Sequence, residues 1–266
     1  MKCKICQSQT TVLFPSKITV LDKYPVEYFK CSSCGFIQTE DPYWLDEAYS
    51  SAITSLDIGL VSRNQRISQQ LHSLITLLFD KKSTYLDYGG GYGMLVRMMR
   101  DIGYDFYRYD TYCANLFSLH FDLADTSERK FELITAFELF EHLLNPIEET
   151  EKMLELGDSI FFSTELIPDH QINKPEDWWY FIPETGQHIS LYSAQSLKKL
   201  AEHFKCNFYT DNKSLHLITK RKINPTYFKL ALKIKVSNLV SKLSKQQSLL
   251  LTDLNYIRNV VKQNQE

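Results

Sequence analysis

The sequence has few glycines and no long apolar run, and both scarcities limit what the chain can be. Only nine glycines occur among 266 residues, and four of them fall at positions 89, 90, 91 and 93. No apolar run approaches the roughly 20 residues that a membrane-spanning helix needs. The first residues lack the apolar stretch of a signal peptide, which favours a cytoplasmic location. The net charge of −2 supplies no overall basic surface, so nucleic acid is an unfavoured partner.

The glycine-rich segment at 85–93 lacks the signatures of two common nucleotide-binding loops. A phosphate loop needs Lys followed by Ser or Thr after its last glycine, and no such pair is present. The dinucleotide pattern Gly-x-Gly-x-x-Gly fails because Met94 stands where its third glycine should be. An acidic residue and alternating glycines remain, namely Asp87, Gly89, Gly91 and Gly93. A carboxylate at the loop repels a pyrophosphate and suits a ligand that carries an ammonium or sulfonium group.

The flanking residues predict a strand, a glycine turn and a helix. A β-rich run at 83–88 precedes the glycines, and a helix-compatible run at 94–102 follows them. The next predicted strand, 104–110, ends at Asp110, about 20 residues past the glycines, where a carboxylate can accept both hydroxyls of a ribose. The helix start adds free N–H groups. The region therefore predicts a nucleotide-binding corner.

A third motif follows an apolar strand predicted at 131–137. It reads Phe-Glu-Leu-Phe-Glu-His-Leu-Leu-Asn-Pro from Phe137 to Pro146. Together with the glycine loop and Asp110, it resembles the class I S-adenosylmethionine-dependent methyltransferases, especially the branch with ubiquinone and sugar methyltransferases. The resemblance covers roughly residues 65–220. It implies a Rossmann-like α/β sheet with helices on both faces.

The resemblance also implies which residues hold the cofactor S-adenosylmethionine. Asp87 would lie near its amino-acid moiety and Asp110 at its ribose, while Phe137 and Glu138 would face the transferred methyl group. The cofactor-binding residues expected in this way are Asp87, Tyr88, Gly89, Gly90, Gly91, Gly93, Asp110, Phe137 and Glu138.

Two interpretations of the acid–base residues stay open, and the candidate catalytic residues are His188, Glu138 and His142. In deoxysugar C-methyltransferases, which the layout resembles, a histidine at the position of His188 is the base. Their motif has Tyr and Glu shortly before it, whereas this chain has Thr185 and Gln187.

The other interpretation is a second divalent metal. Glu138, Glu141, His142 and a distant His188 are similar to the metal site of small-RNA 2′-O-methyltransferases, and a related acidic site occurs in ubiquinone O-methyltransferases. A metal there lowers the pKa of the acceptor hydroxyl. In relatives without a metal, the same Glu-His pair only caps or packs.

Four of the six cysteines are ordered as Cys3-x-x-Cys6 and Cys31-x-x-Cys34, with 24 residues between the pairs. Two such knuckles predict a tetrahedral zinc site, and a redox pair is the alternative. Four thiolate ligands leave no open position, so we expect a structural zinc that stabilises a short segment. Similar zinc modules precede the methyltransferase domain in some deoxysugar C-methyltransferases.

Aromatic residues in a long predicted loop indicate the acceptor. The loop at 169–189 contains Trp178, Trp179 and Tyr180, which either stack on a sugar or form a hydrophobic lid. We therefore expect methyl transfer to a small-molecule acceptor, namely a sugar or a surface-glycan or lipid-linked precursor. The alternatives are a non-catalytic methyltransferase-like binding module and a metal-assisted O-methyltransferase acting on a quinone or RNA hydroxyl.

The chain divides by pattern into four segments: a zinc ribbon at 1–40, a connector or lid at 41–61 with Tyr49 as a lid candidate, the methyltransferase domain at 62–220, and a helical tail at 221–266. Further helices are predicted at 62–80, 147–155 and 193–203, and further strands at 119–123, 159–164, 207–210 and 214–219.

The tail is basic and amphipathic. No acidic residue occurs from Lys213 to Thr252. Apolar residues recur there at helical spacing, namely Leu232, Val236, Leu239 and Leu243. Three roles stay open for the predicted helix: packing on the domain or in a homodimer, peripheral contact with an anionic membrane, or contact with a polyanionic substrate.

Overall fold

Twelve strands and eight α-helices follow one another along residues 1–50 and 56–263, the part of the chain that the computed structural model describes. The strands are β1 (Thr10–Val12), β2 (Ile18–Val20), β3 (Tyr24–Val26), β4 (Tyr28–Cys31), β5 (Ile37–Thr39), β6 (Thr84–Tyr88), β7 (Asp105–Tyr109), β8 (Leu133–Ala136), β9 (Ser159–Ser163), β10 (Ser190–Leu191), β11 (Asn207–Thr210) and β12 (Leu215–Thr219). The helices are α1 (Leu45–Ala48), α2 (Leu60–Leu78), α3 (Met94–Ile102), α4 (Pro146–Leu156), α5 (Ala194–His203), α6 (Pro225–Ala231), α7 (Ile234–Leu243) and α8 (Leu250–Gln263).

A six-stranded, mainly parallel sheet in the order β11-β12-β9-β8-β6-β7 confirms the predicted α/β fold. β6 pairs in parallel with β7 and β8, and β12 pairs antiparallel with β9 and β11. Every residue of β8 and β9 is buried, as expected for strands that helices cover on both faces. The strand predicted at 119–123 is wrong. Asp122 and Asp125 cap each other there and favour a short 3₁₀ turn at Leu123–Asp125.

The chain forms two compact units, one of residues 1–57 and 136–222 and the other of residues 58–135 and 223–266. Within the first unit, the N-terminal strands build a second sheet in the order β1-β4-β5-β10. Its edge strand β10 follows much later in the sequence than the other three and pairs with β5, with Ser190 opposite Gln38 and Leu191 opposite Ile37. Trp44 is buried beside this sheet, and its Nε1 donates to the Gly186 carbonyl at 2.8 Å.

Within the second unit, α2 buries Ile67, Leu71 and Leu74 at the predicted helical spacing. The predicted single helix of the tail is instead three helices. α6 and α7 lie on α2, where Gln70 Nε2 donates to the Leu232 carbonyl at 2.9 Å. The chain turns at Lys233, whose backbone is extended, because Leu232 is buried at the end of α6. Over the described residues, no helix is both long and apolar enough to cross a bilayer.

A buried ion pair fastens α8 to α3. The Arg100 guanidinium donates from Nε and Nη2 to the two carboxylate oxygens of Asp253 at 2.9 and 2.8 Å. Its Nη1 bonds to Asp105, and the Phe121 ring lies 3.7 Å from the guanidinium carbon. A paired guanidinium that also contacts an aromatic face is well compensated for its burial.

We expect Arg100→Met to destabilise the protein by about 3 kcal/mol, because it leaves the Asp253 carboxylate buried with one partner fewer. Thermal and urea unfolding would measure the loss. The double variant Arg100→Met with Asp253→Leu should recover part of it, since no unpaired charge remains. Lys198→Ala, which breaks an exposed pair with Glu202, is the matched control. Equal stability of Arg100→Met and the control would contradict a structural role for this pair.

Candidate functional site

The glycine loop in the second unit has a backbone conformation and close neighbours that only glycine can accommodate. Gly89, Gly91 and Gly93 have φ angles of 71°, 53° and 82°, a region that side chains disfavour. A Cβ atom at Gly93 would overlap the Ser118 hydroxyl, and one at Gly90 would lie 2.8 Å from Arg108 Cγ. The loop can therefore expose its backbone closely to a ligand, and α3 begins immediately after it.

Asp110 is bonded to the loop backbone. Its Oδ2 accepts from the Gly91 N–H at 2.9 Å, and its Oδ1 accepts from Tyr112 and Cys113 N–H groups at 2.8 and 2.7 Å. A carboxylate oxygen can accept about two hydrogen bonds, so Oδ2 keeps capacity for one more. The ribose contact of Asp110 stays a prediction, and the acceptor position left on Oδ2 would serve one ribose hydroxyl rather than both.

Arg108 stabilises the glycine loop through hydrogen bonds, and the sequence alone does not predict this role. Its guanidinium is buried, with Nε donating to Asp122 Oδ1 at 2.6 Å and Nη1 donating to the carbonyls of Gly91 and Cys113. The strand alternation of β7 was the available signal, because it places Arg108 on the same face as the buried Phe106. A charged residue on a buried face requires partners, and here the partners are the loop carbonyls.

Asp87 lies at the end of β6 and is only 4% exposed. Its Oδ1 accepts from the Thr135 hydroxyl at 2.6 Å. Burial raises the pKa of Asp87 to about 7, the Thr135 hydrogen bond lowers it, and the nearby Asp110 charge raises it. A buried carboxylate with so high a pKa favours a ligand that brings a positive charge. Tyr88 follows it, and its ring lies 4.8 Å from the Tyr109 ring.

A second cluster, in the first unit, brings Glu141, His142 and His188 together. One ligand-type atom from each lies within 4.8 Å of the others. His142 Nδ1 donates to the Gln187 carbonyl at 3.2 Å, and His188 Nδ1 donates to the Tyr180 carbonyl at 2.7 Å. A carbonyl can only accept, so each Nδ1 carries the proton and each Nε2 offers a lone pair.

Burial keeps both imidazoles neutral. Desolvation lowers the pKa of His142 to about 3, helped by the neighbouring His188. Desolvation also lowers the pKa of His188 to about 4, against the hydrogen bond to the Tyr180 carbonyl. The rings are nearly perpendicular with centroids 5.0 Å apart. Two neutral imidazoles with oriented Nε2 atoms can act as bases or as metal ligands.

Glu141 is fully buried, and neither of its carboxylate oxygens has a well-formed hydrogen bond within the described residues. Burial raises its pKa to about 8 and the Glu138 charge adds to this, while the Tyr180 and Thr164 side chains act in the opposite direction. An ionised carboxylate in this position needs a cation, and otherwise it holds a proton.

Glu138 lies outside this group. It has a φ of 53° at the end of β8, and its backbone N–H and Oε1 both bond to the Ser163 hydroxyl at 2.8 Å. Of the four residues named for a possible divalent metal, the structure therefore brings together Glu141, His142 and His188 but not Glu138. A single 3₁₀ turn at Phe140–His142 carries Glu141 and His142. Glu138 precedes this turn with a left-handed backbone, and its side chain bonds to Ser163. Phe137 packs on Phe161 with ring centroids 5.4 Å apart.

The segment that carries His188 is fixed to the 3₁₀ turn along its length. Ile189 N–H donates to the Glu141 carbonyl at 3.0 Å, and the Ser190 hydroxyl donates to the Leu143 carbonyl at 2.6 Å. The pairing of β10 with β5 continues directly from these bonds. The position of His188 thus depends on the N-terminal sheet, which the sequence alone did not indicate.

The aromatic loop divides into buried and exposed members. Trp178 and Tyr180 belong to the core beside the N-terminal sheet, whereas Trp179 is 66% exposed. The Tyr180 ring centroid lies 4.5 Å from that of His188, and the Tyr49 ring lies 6.3 Å from His142. The lid expected at 41–61 lies partly outside the described residues, at 51–55.

The two positions that depart from the sugar C-methyltransferase motif are used structurally. Thr185 is buried and its hydroxyl donates to the Ile182 carbonyl at 3.1 Å. Gln187 is also buried, and its Nε2 donates to the Ala48 carbonyl at 2.8 Å. Both side chains thus have structural partners, and an acid–base role of His188 stays a prediction.

The four ordered cysteines form one cluster in the first unit. Cys3 Sγ lies 3.6 Å from Cys34 Sγ, and Cys6 Sγ lies 3.5 Å from Cys31 Sγ. These separations exceed the ~2.05 Å of a disulfide and approach the ~3.8 Å between thiolates on a tetrahedral zinc. The Ile5 N–H donates to Cys3 Sγ, and the Cys34 N–H donates to Cys31 Sγ, each at 3.4 Å. Such hydrogen bonds favour the thiolate form of both cysteines. The donor set therefore fits zinc.

The sequence of residues 62–210 matches the family described as a methyltransferase domain. The chain belongs to this family. It is an S-adenosylmethionine-dependent methyltransferase. No curated protein matches the sequence significantly.

Solved structures with a similar course of the chain are also methyltransferases. The plantazolicin methyltransferase BpumL, in complex with a monoazolic desmethylPZN analog and SAH, is 14% identical, with 67% of this chain and 93% of BpumL covered and a TM-score of 0.47. CalO1, a methyltransferase in calicheamicin biosynthesis, is 13% identical, with 68% and 60% covered and a TM-score of 0.43. An O-methyltransferase family protein from Burkholderia thailandensis is 11% identical, with 69% and 64% covered and a TM-score of 0.44.

We expect the methyltransferase to bind S-adenosylhomocysteine more tightly as the pH rises through about 7, the pKa of Asp87 in the free protein. The cationic amino group of the ligand favours the ionised carboxylate, so binding releases a proton from Asp87 below this pH. Calorimetry in two buffers of different ionisation enthalpy would measure both effects.

The variant Asp87→Asn should bind at least about tenfold more weakly and lose the pH dependence, since one charged contact contributes about 1.5–3 kcal/mol. Asp46→Asn, at an exposed carboxylate of α1, is the control and should behave as the wild type. Binding by Asp87→Asn that keeps the wild-type pH profile would exclude this role of Asp87.

Proposed function

We propose that this methyltransferase transfers the methyl group to a sugar, or to a surface-glycan or lipid-linked precursor, with His188 as the base. The supporting observation is the fixed tautomer of His188: its Nδ1–H is bonded to the Tyr180 carbonyl, so Nε2 faces away as a proton acceptor. Trp179 adds an exposed aromatic face on the same loop, and such faces stack on sugar rings.

The cofactor would be held by Asp87, the backbone of the glycine loop and Asp110. When bound, S-adenosylmethionine supplies an electrophilic methyl group. His188 would take the proton that the acceptor loses, because its lowered pKa keeps Nε2 unprotonated at neutral pH. His142 would support it as a second neutral ring, since its Nδ1 is held by the Gln187 carbonyl.

A metal-assisted O-methyltransferase is the second candidate, and a specific observation favours it. The group of Glu141, His142 and His188 offers one carboxylate and two Nε2 atoms, each imidazole oriented by a backbone carbonyl as metal-bound histidines are. The carboxylate of Glu141 is buried without a well-formed hydrogen bond in the described structure, which a cation would compensate. Glu138 would not be a ligand, because it bonds to Ser163. A divalent metal here would lower the pKa of an acceptor hydroxyl.

One assay separates these candidates. Labelled S-adenosylmethionine is incubated with nucleotide sugars, lipid-linked glycans, quinols and small RNAs, and mass spectrometry identifies the methylated product. We expect a sugar-containing product, and His188→Asn should lower kcat by about 10²–10⁴-fold while binding of S-adenosylhomocysteine stays the same. His203→Asn, at an exposed histidine of α5, is the control.

Glu141→Gln distinguishes the base from the metal. With His188 as a metal-free base, chelators and Glu141→Gln leave most of the activity. A metal site loses activity in both cases, and added divalent metal restores only the chelated wild type. Cofactor binding without any product, together with tolerance of His188→Asn, would instead support a non-catalytic binding module. Lack of S-adenosylhomocysteine binding by the intact protein would overturn the whole proposal.

We further propose that zinc at Cys3, Cys6, Cys31 and Cys34 acts structurally. Four sulfurs would fill a tetrahedral zinc, so the ion has no open position for a substrate. The cluster secures the N-terminal sheet, and the Ser193 hydroxyl on the far segment donates to the Cys34 carbonyl at 2.5 Å. Loss of the metal would loosen the strand on which the His188 segment depends.

We expect Cys34→Ser to lower turnover much more than binding of S-adenosylhomocysteine, because the predicted cofactor residues Asp87 to Gly93 and Asp110 belong to the other compact unit. Metal analysis should give one zinc per wild-type chain and a reduced content in the variant. Cys206→Ser, at a cysteine outside the cluster, is the control and should keep both properties. A zinc-free wild-type protein with full turnover would refute the structural zinc.

A further inference from the structure

The face that α6 and α7 present to solvent has no acidic group. In residues 223–263, Asp253 is the sole carboxylate side chain, and it is buried against Arg100. The helix beneath, α2, has no acidic residue either. Exposed lysines cover this face, namely Lys229, Lys233, Lys235, Lys242 and Lys245. None of their ammonium groups has an ion pair or hydrogen bond among the described residues.

Large apolar side chains stand among these lysines. Leu239 is 56% exposed and Leu243 is 71% exposed, and both belong to the apolar stripe noted in the sequence. Lys235, Leu239 and Lys242 are separated by four and three positions, so they share one face of α7. Tyr227, Leu230 and Ile234 are also exposed nearby in the chain.

The side of α7 that is buried carries small and partly polar side chains. Ser237 is buried there and donates its hydroxyl to the Ala231 carbonyl at 3.3 Å, between the half-buried Val236 and Val240. A helix that served only to cover α2 would turn its leucines inward, because burying a leucine contributes about 1.5–3 kcal/mol. The outward leucines therefore need a partner outside the unit.

We propose that this surface, the outward face of α6 and α7, binds an anionic lipid bilayer as a peripheral membrane contact. The lysines match the negative charge of the headgroups, and the leucines between them reach the acyl boundary while lysine stems lie along it. A second copy of the chain fits poorly, because a two-fold contact would place the same unpaired lysines against one another. The exposed apolar side chains of α7 are aliphatic, and the basic ones on this surface are lysines rather than arginines, which matches lipid better than RNA. This inference does not depend on the identity of the methyl acceptor.

Vesicle flotation with the full chain tests the proposal. We expect binding to phosphatidylcholine vesicles with roughly 30% phosphatidylglycerol, little binding to pure phosphatidylcholine, and weakening as salt rises above about 0.1 M. Lys235→Gln with Lys242→Gln should weaken binding about 25-fold, at about fivefold per lysine. Leu239→Ser with Leu243→Ser should weaken it at least tenfold, roughly the contribution of two inserted side chains.

Lys81→Gln with Lys82→Gln removes the same charge from exposed positions elsewhere in this unit and should bind like the wild type. Binding of S-adenosylhomocysteine by every variant shows that the unit is folded, and it separates this test from the proposed function. The proposal is overturned if neutral vesicles bind equally well or if the paired tail and control variants lose the same affinity. It is also overturned if the tail variants instead abolish self-association or RNA binding in the absence of lipid.

Discussion

The pairing of β10 with β5 is the constraint on which the candidate catalytic residues depend. The paired residues are 152 and 154 positions apart in the chain, yet the Ser190–Gln38 and Leu191–Ile37 pairs place the segment of His188 against the N-terminal sheet. Hydrogen bonds from Ile189 and Ser190 to the Glu141 and Leu143 carbonyls then bring His188 beside His142. A catalytic group built on paired backbone keeps its orientation better than one on an unsupported loop.

The same arrangement explains why the N-terminal cysteine module and the methyltransferase fold occur in one chain. The module is too short to bury a large core of its own, so the proposed metal and the added strand β10 both contribute to its stability. In return the module contributes Val20, Ile37 and Trp44 to the core that surrounds Tyr180. Removal of either partner would therefore affect the packing around the histidines as well as its own strands.

Local patterns predicted much of the fold and of the glycine loop because those features depend on nearby residues. The strand–glycine–helix corner, the helix after Ser193 and the hairpin of β11 and β12 lie close to where periodicity placed them. The role of Arg108 and the left-handed Glu138 were missed, because each depends on a partner far along the chain. The regular leucine spacing of the tail predicts one helix, whereas the structure has three. In α7 the buried residue is Ser237 rather than a leucine, because the helix packs on α2.

The bond between Arg100 and Asp253 imposes an order on biosynthesis. The two residues are 153 positions apart, and Asp253 is synthesised after every strand of the six-stranded sheet. Until then the guanidinium of Arg100 can reach only partners close in the sequence, Asp105 and the Phe106 carbonyl, and its Nε and Nη2 groups lack the Asp253 carboxylate. Contacts of such separation close late and at a high entropic cost. The unit that contains the glycine loop is thus expected to complete its packing only after Asp253 has been synthesised.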